Sequence, residues 1–320
     1  MSTSRRHDGT NGFAAWVPFG IRFGAEETFV DWCRAGDERF RDPFFDQTID
    51  RLRRADGERI RTTSVEDLLN VPRVSPAAFV FHMSRCGSTL VTQALCAVPQ
   101  FLSISEPAIV ETVLRGRPDT DATAPILQCV ISALSHPRAV GQSAVFIKLT
   151  SRSAAHLPLF RHAFPDVPRI VLYRDPLEVV SALMRGTRGT IPPGLPQALL
   201  DSGDSEIRPA EFWARVLARF CLFVAQDYDP RTTLLVHYAE LPAAVWERIV
   251  PFAGQTCSDA DIERMLRASR FDSKKPLRLF APDRERRDRV VTEEMVAAVE
   301  QFARGPYQSL EALRLARASR

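Results

Sequence analysis

Residues 77–98, AAFVFHMSRCGSTLVTQALCAV, decide the fold of this chain. Pro76 precedes a run rich in strand formers, Ala77 to Met83, after which Leu90, Val91, Ala94, Leu95 and Val98 recur at helical spacings. The stretch reads as strand, turn and helix. The turn, Ser84-Arg85-Cys86-Gly87-Ser88-Thr89, holds one glycine, one cation and several hydroxyls where a new helix exposes unpaired backbone N–H groups. Such an end attracts anions.

The alternation continues downstream. Phe101 to Ser105 is a short apolar run ending at Glu106 and Pro107, and Ala108 to Leu114 resumes a helical pattern. Ile126 to Leu134 and Ser153 to Phe164 read as helices on either side of a buried strand, Ala144 to Leu149, with Lys148 at its carboxyl end. Arg169 to Tyr173 (RIVLY) is the next strand and runs straight into Arg174-Asp175-Pro176. There Asp175 suits an N-cap, Pro176 the first helical position and Glu178 the closing member of a capping box. Ala210 to Gln226 and Thr232 to Tyr238 add a helix and a strand. The expected fold is therefore α/β, three layers, with a parallel sheet between helices and ligands at the carboxyl ends of the strands. The turn at 84–89, Glu106, Lys148 and Arg174 all fall at such ends.

At 320 residues and 45% hydrophobic content the chain can bury a large core. Residues 1–75 are expected to form an N-terminal accessory segment. Residues 76–320 are expected to form the main domain. The segment from Phe13 to Asn70 is rich in Trp and Phe among charges, with short helices expected at 47–54 and 64–69, and suits packing on the domain or covering its mouth. A net charge of +3 does not demand nucleic acid and suits an anionic small ligand. Only three of the 42 Lys plus Arg residues are lysines, Lys148, Lys274 and Lys275. The six cysteines form no C-x-x-C pair, which implies a reduced compartment and no structural zinc. The N-terminus lacks an apolar signal core and no window approaches a spanning helix, so a cytoplasmic protein without a membrane partner is expected.

The loop lacks the second glycine and the Lys of a Walker A motif. SRCGSTL instead resembles the 5′-phosphosulfate loop of sulfotransferases, with Cys86 where the family usually has Ser. RIVLYRDPLEVVS resembles the family's second signature, in which a strand-ending Arg and a Ser on the next helix hold the 3′-phosphate of the donor PAPS. The resemblance covers roughly residues 76–289 and implies a P-loop fold. It implies donor contacts from Ser84, Arg85, Cys86, Gly87, Ser88 and Thr89, with Arg174 and Ser181 on the 3′-phosphate. Ser181 lies seven residues after Arg174 where the family spacing is eight. The basic segment at 271–289 is similar to the family's nucleotide-covering loop, which adds Lys274, Lys275 and Arg278.

Chemistry and the family resemblance together imply the remaining roles. Arg85 can stabilise charge on the bridging oxygen as the S–O bond breaks. Where the cytosolic branch of the family has a catalytic His, this chain has Thr150. Other branches use a Glu about twenty residues beyond the loop cation, which makes Glu106 the expected base and leaves Lys148 facing the transferred group. His82 is read as a hydrogen-bonded core residue and Cys86 as a backbone donor, not a nucleophile. No metal is expected, and the acceptor is expected to be a small molecule or peptide. Two other readings stay open: a P-loop kinase-like phosphotransferase, and a non-catalytic nucleotide-binding module.

Overall fold

The computed structural model describes residues 15–116, 120–191, 207–272, 275–279 and 291–318. The first part of the chain forms an antiparallel sheet of β1 (Trp16–Phe23), β2 (Thr28–Arg34) and β3 (Ile60–Ser64). The helices α1 (Phe45–Ala55) and α2 (Val65–Leu69) lie near their expected places. The three strands do not stand out in the sequence, for two physical reasons. A bulge between Pro18 and Gly20 breaks the alternation of β1. In β2, Trp32 and Cys33 are both buried although they are neighbours, so no polar face shows.

The central sheet contains β4 (Ala78–His82), β5 (Phe101–Ser105), β6 (Ala144–Lys148), β7 (Arg169–Tyr173) and β8 (Thr233–His237), parallel and in the order β5-β6-β4-β7-β8. Every residue of β4 to β7 is buried, because helices cover both faces. This is why these strands read as continuous apolar runs. The helices are α3 (Ser88–Cys96), α4 (Ala108–Gly116), α5 (Thr120–Ser135), α6 (Leu157–Ala163), α7 (Pro176–Gly186), α8 (Pro209–Gln226), α9 (Asp259–Ser269), α10 (Glu293–Ala298) and α11 (Arg304–Ala318). The result is a three-layer α/β architecture, a parallel sheet between two layers of helices.

Two helices differ from their expected limits. α5 begins at Thr120 and carries Pro125 inside it. The expected helix at 153–164 is divided into a 3-10 turn, Ser151–His156, and α6. Pro158 is the cause: it suits the first turn of a helix and so starts α6 afresh. At the far end, β9 (Phe271–Asp272) and β10 (Lys275–Leu279) pair as an antiparallel ribbon. Among the described residues no helix is long and apolar enough to cross a membrane.

Connectivity positions the site. From the central β4 the chain crosses to β5, returns to β6, and then passes to β7 and β8 on the other side. The loop after β4 therefore has the ends of β5 and β6 on one flank and the end of β7 on the other. Such a reversal of strand order opens a crevice at the carboxyl edge. The antiparallel sheet joins this edge through β1, which packs on α4 and α5.

Candidate active site

Between β4 and α3 the chain turns through two left-handed residues, Arg85 (φ 60°) and Gly87 (φ 83°). Gly87 has no alternative, because a Cβ there would stand 2.8 Å from Leu241 Cδ1 and 3.0 Å from the Tyr238 ring. Gly87→Ala is expected to cost about 1–3 kcal/mol of stability, read from the urea midpoint, since a left-handed backbone and a steric clash coincide. The N–H groups of Gly87, Thr89 and Leu90 meet no acceptor among the described residues. They lie at the start of α3, a kind of helix end that suits an anion. Ser84 Oγ donates to Ser151 Oγ at 3.1 Å, and the side chains of Ser88 and Thr89 are buried. Cys86 is fully buried, and burial pushes its thiol up to about 12, so it contributes backbone and not a thiolate.

On one flank, strand pairing brings three charged or polar side chains together. Ser105 pairs with Lys148, and the N–H of Glu106 then donates to the Lys148 carbonyl at 2.7 Å. Glu106 sits at φ 52°, a second strained position in the site. Its Oε1 lies 2.9 Å from Lys148 Nζ and 3.3 Å from His82 Nε2. Lys148 is 0% exposed, with Nζ 5.2 Å from the centroid of the Phe44 ring. Burial would push the Glu106 carboxyl up, but His82 and Lys148 together outweigh burial and hold it at about 2. Glu106 is thus ionised at neutral pH yet weakly basic while both partners hold it. Lys148 faces Glu106 directly.

His82 is a buried, hydrogen-bonded residue as its place on an apolar strand suggests, and it has a further partner. Its Nε2 turns to Glu106 while Nδ1 lies 3.2 Å from the Met83 carbonyl oxygen. The signal was the parallel pairing of Val80 with Lys148, which puts the next same-face residue, His82, beside the end of β6.

On the other flank, Arg174 is 9% exposed and largely committed. Nη1 donates to the Arg85 carbonyl at 3.1 Å, Nε donates to Glu178, and the guanidinium lies 4.1 Å from the Tyr238 ring centroid. Arg174 therefore braces the left-handed turn at Arg85. Asp175 accepts the N–H groups of Leu177 and Glu178, at 2.9 and 3.3 Å, and also takes Arg304 Nη1 of α11 at 2.8 Å. Ser181 is buried, and its Oγ accepts Arg185 Nη1 at 2.8 Å. The Arg85 guanidinium itself reaches the carboxyl end of α7, where Nη2 lies 2.8 Å from the position a Cβ on Gly186 would take. Arg85, Arg174 and Arg185 thus gather around the start and end of α7. Arg185 was legible as the residue four beyond Ser181 on one helical face. Lys274 lies outside the described residues; Lys275 and Arg278 lie on β10, where nothing is described beyond the backbone.

A cavity of about 540 Å³ opens beside Glu106, walled by Phe23 and Phe44 from the N-terminal segment and by Asp46, Glu111 and Arg152. Among the described residues no group of His, Cys, Asp and Glu is arranged to hold a metal ion.

No protein-family model matches the sequence, and no curated protein matches it. Solved structures do. Sulfotransferase STF9 from Mycobacterium avium is 16% identical, over 63% of this chain and 70% of that one, with a TM-score of 0.43. A sulfotransferase from Alicyclobacillus acidocaldarius is also 16% identical, over 75% of this chain and 96% of that one, with a TM-score of 0.43. Mouse sulfotransferase SULT7A1 complexed with PAP is 13% identical, over 80% of this chain and 91% of that one, with a TM-score of 0.38.

Proposed function

We propose that the chain is a PAPS-dependent sulfotransferase acting on a hydroxyl or amine acceptor. One observation supports this reading: the loop after β4, Glu106 and Lys148 at the ends of β5 and β6, and Arg174 after β7 all lie at the carboxyl edge of one parallel sheet. The donor brings an activated sulfuryl group and leaves as adenosine 3′,5′-bisphosphate. The N–H groups of Gly87, Thr89 and Leu90, the α3 dipole and Arg85 take the charge that appears on the 5′-phosphate as the S–O bond breaks. Arg174 keeps the loop in shape through the Arg85 carbonyl and, with Arg185, Lys274, Lys275 and Arg278, supplies the charge for the 3′-phosphate, to which Ser181 adds a hydroxyl donor. A single buried cation suits a transferred group of low charge, and in this reading Lys148 is that cation.

Proton transfer follows from the same pair. As the sulfuryl oxygens draw the Lys148 charge away from Glu106, the carboxylate loses one of the two partners that keep it weakly basic, and its affinity for the acceptor proton rises. The bond that forms joins acceptor oxygen to sulfur, the bond that breaks joins sulfur to the 5′-phosphate oxygen, and the proton ends on Glu106.

The test is ligand-linked stability. Adenosine 3′,5′-bisphosphate at about 100 times its dissociation constant should stabilise the native protein by roughly 2.7 kcal/mol without Mg²⁺, with ATP and ADP doing less. In Arg174→Met the shift should fall by at least half. A larger response to Mg-ATP than to the bisphosphate would point to a kinase-like phosphotransferase and reject this reading. Tight bisphosphate binding with no sulfuryl transfer to any acceptor would leave a binding module.

A further inference from the structure

The cavity beside Glu106 holds one carboxylate without an ion-pair partner among the described residues, and it belongs to the N-terminal segment. Arg115 and Arg152 approach Glu111 Oε2 at 3.4 and 3.6 Å, while Thr150 and Ser153 donate to its Oε1. Lys148 is taken by Glu106. Asp46 lines the same cavity, accepts the N–H of Ala108 at the start of α4, and has no cation within ion-pair distance among the described residues. Its surroundings suit a cation, and the two arginines on the wall, Arg115 and Arg152, both lie against Glu111 instead. Burial pushes its carboxyl up, with Asp50 and Glu106 adding to the rise and the Ala108 N–H opposing it, so the ionised form is under-solvated. The other wall is apolar: Phe23 and Phe44 present rings that suit an aromatic body, and ring faces also attract cations.

Resting on the sulfotransferase reading above, we propose that this cavity takes an acceptor that joins a hydroxyl to a protonated amine through an apolar or aromatic body, with Asp46 as the partner of the amine. The spacing fits one small molecule. Asp46 is anchored on Ala108, two residues beyond Glu106, so at most about 7 Å of backbone separates the two anchor points. The hydroxyl meets Glu106 and the ammonium meets Asp46. The N-terminal segment, which carries none of the loop chemistry, then sets acceptor choice by charge.

Binding distinguishes this from the alternatives without relying on turnover. With adenosine 3′,5′-bisphosphate present, the dissociation constants of tyramine, para-cresol and para-coumarate are measured by calorimetry on the full chain. Tyramine is expected to bind at least about tenfold more tightly than para-cresol, and para-coumarate more weakly than either, a tenfold step being about 1.4 kcal/mol. Asp46→Asn keeps an acceptor for the Ala108 N–H and removes the charge; it should erase the advantage of tyramine. Asp46→Ser, also a hydrogen-bond acceptor, serves if the Asn variant fails to fold. Tightest binding of para-coumarate, an undiminished tyramine advantage in both variants, or no tyramine binding at all would each overturn the proposal. Failure of the bisphosphate itself to bind would instead reject the donor assignment, and the amine preference can then still be read with the three probes alone.

Discussion

Glu106→Ala is expected to remove about 3–5 kcal/mol of stability, more than any other single change in the site, because it leaves Lys148 buried without a counter-charge. The reverse deletion, Lys148→Met, should cost less, since Glu106 keeps His82 beside it and a side chain that is 23% exposed. Lys148→Met combined with Glu106→Gln should recover much of the loss, as a neutral pair leaves no uncompensated charge. Urea unfolding of the four proteins measures this, and a Lys148 deletion costlier than the Glu106 one would contradict the burial argument. The pair also sets an acid limit. Its carboxyl moves from an ordinary 4.5 to about 2 on folding, so its contribution is fully present above about pH 4.5 and is lost as pH falls toward 2. At about 1.4 kcal/mol for each pH unit the loss comes to roughly 3 kcal/mol. The difference between wild type and Glu106→Ala should therefore shrink across that window. All three variants should have lost turnover.

Arg85→Ala is expected to lower turnover by about 10²–10³-fold, the usual effect of deleting one positioned group that stabilises charge in the transition state. Arg85→Gly should lose as much, because the guanidinium is gone in both. The two should differ in stability. Arg85 adopts φ 60°, which an L side chain resists and glycine does not, so Arg85→Gly should exceed Arg85→Ala by about 1 kcal/mol. Equal stabilities would mean that the strain is relieved elsewhere. Arg174 maintains the turn by holding the Arg85 carbonyl, so left-handed backbone at Arg85 and a buried Arg174 form one device. Arg85, in the loop after β4, and Glu106, just after β5, are both left-handed, and backbone strain of this kind tends to gather at functional sites.

Much of this was legible in residues 77–98 and 169–185. Buried parallel strands write themselves as short apolar runs, and a helix start after a glycine turn writes itself in hydroxyls, a cap and a proline, so β4, β7, α3 and α7 could be placed from local chemistry alone. The candidate residues at strand ends followed from the same rule. The β1–β3 sheet was not legible because a bulge and a two-sided burial pattern erase its alternation. The contact of His82 with Glu106 was not legible for a related reason: a histidine on an apolar strand gives no sign of its partner until the neighbouring strand is known.

The sequence by itself determined the strand-loop-helix unit, the capped helix after Arg174 and the acidic and basic residues at the strand ends, since each depends on contacts within a few residues. Only the tertiary structure decided their partners. The order β5-β6-β4-β7-β8 sets Glu106, Lys148 and His82 side by side, turns Arg174 onto the Arg85 carbonyl, and carries Asp46 and Phe44 to the cavity from a separate sheet. These are contacts between residues far apart in the chain. They follow from strand order and burial, which no local pattern encodes.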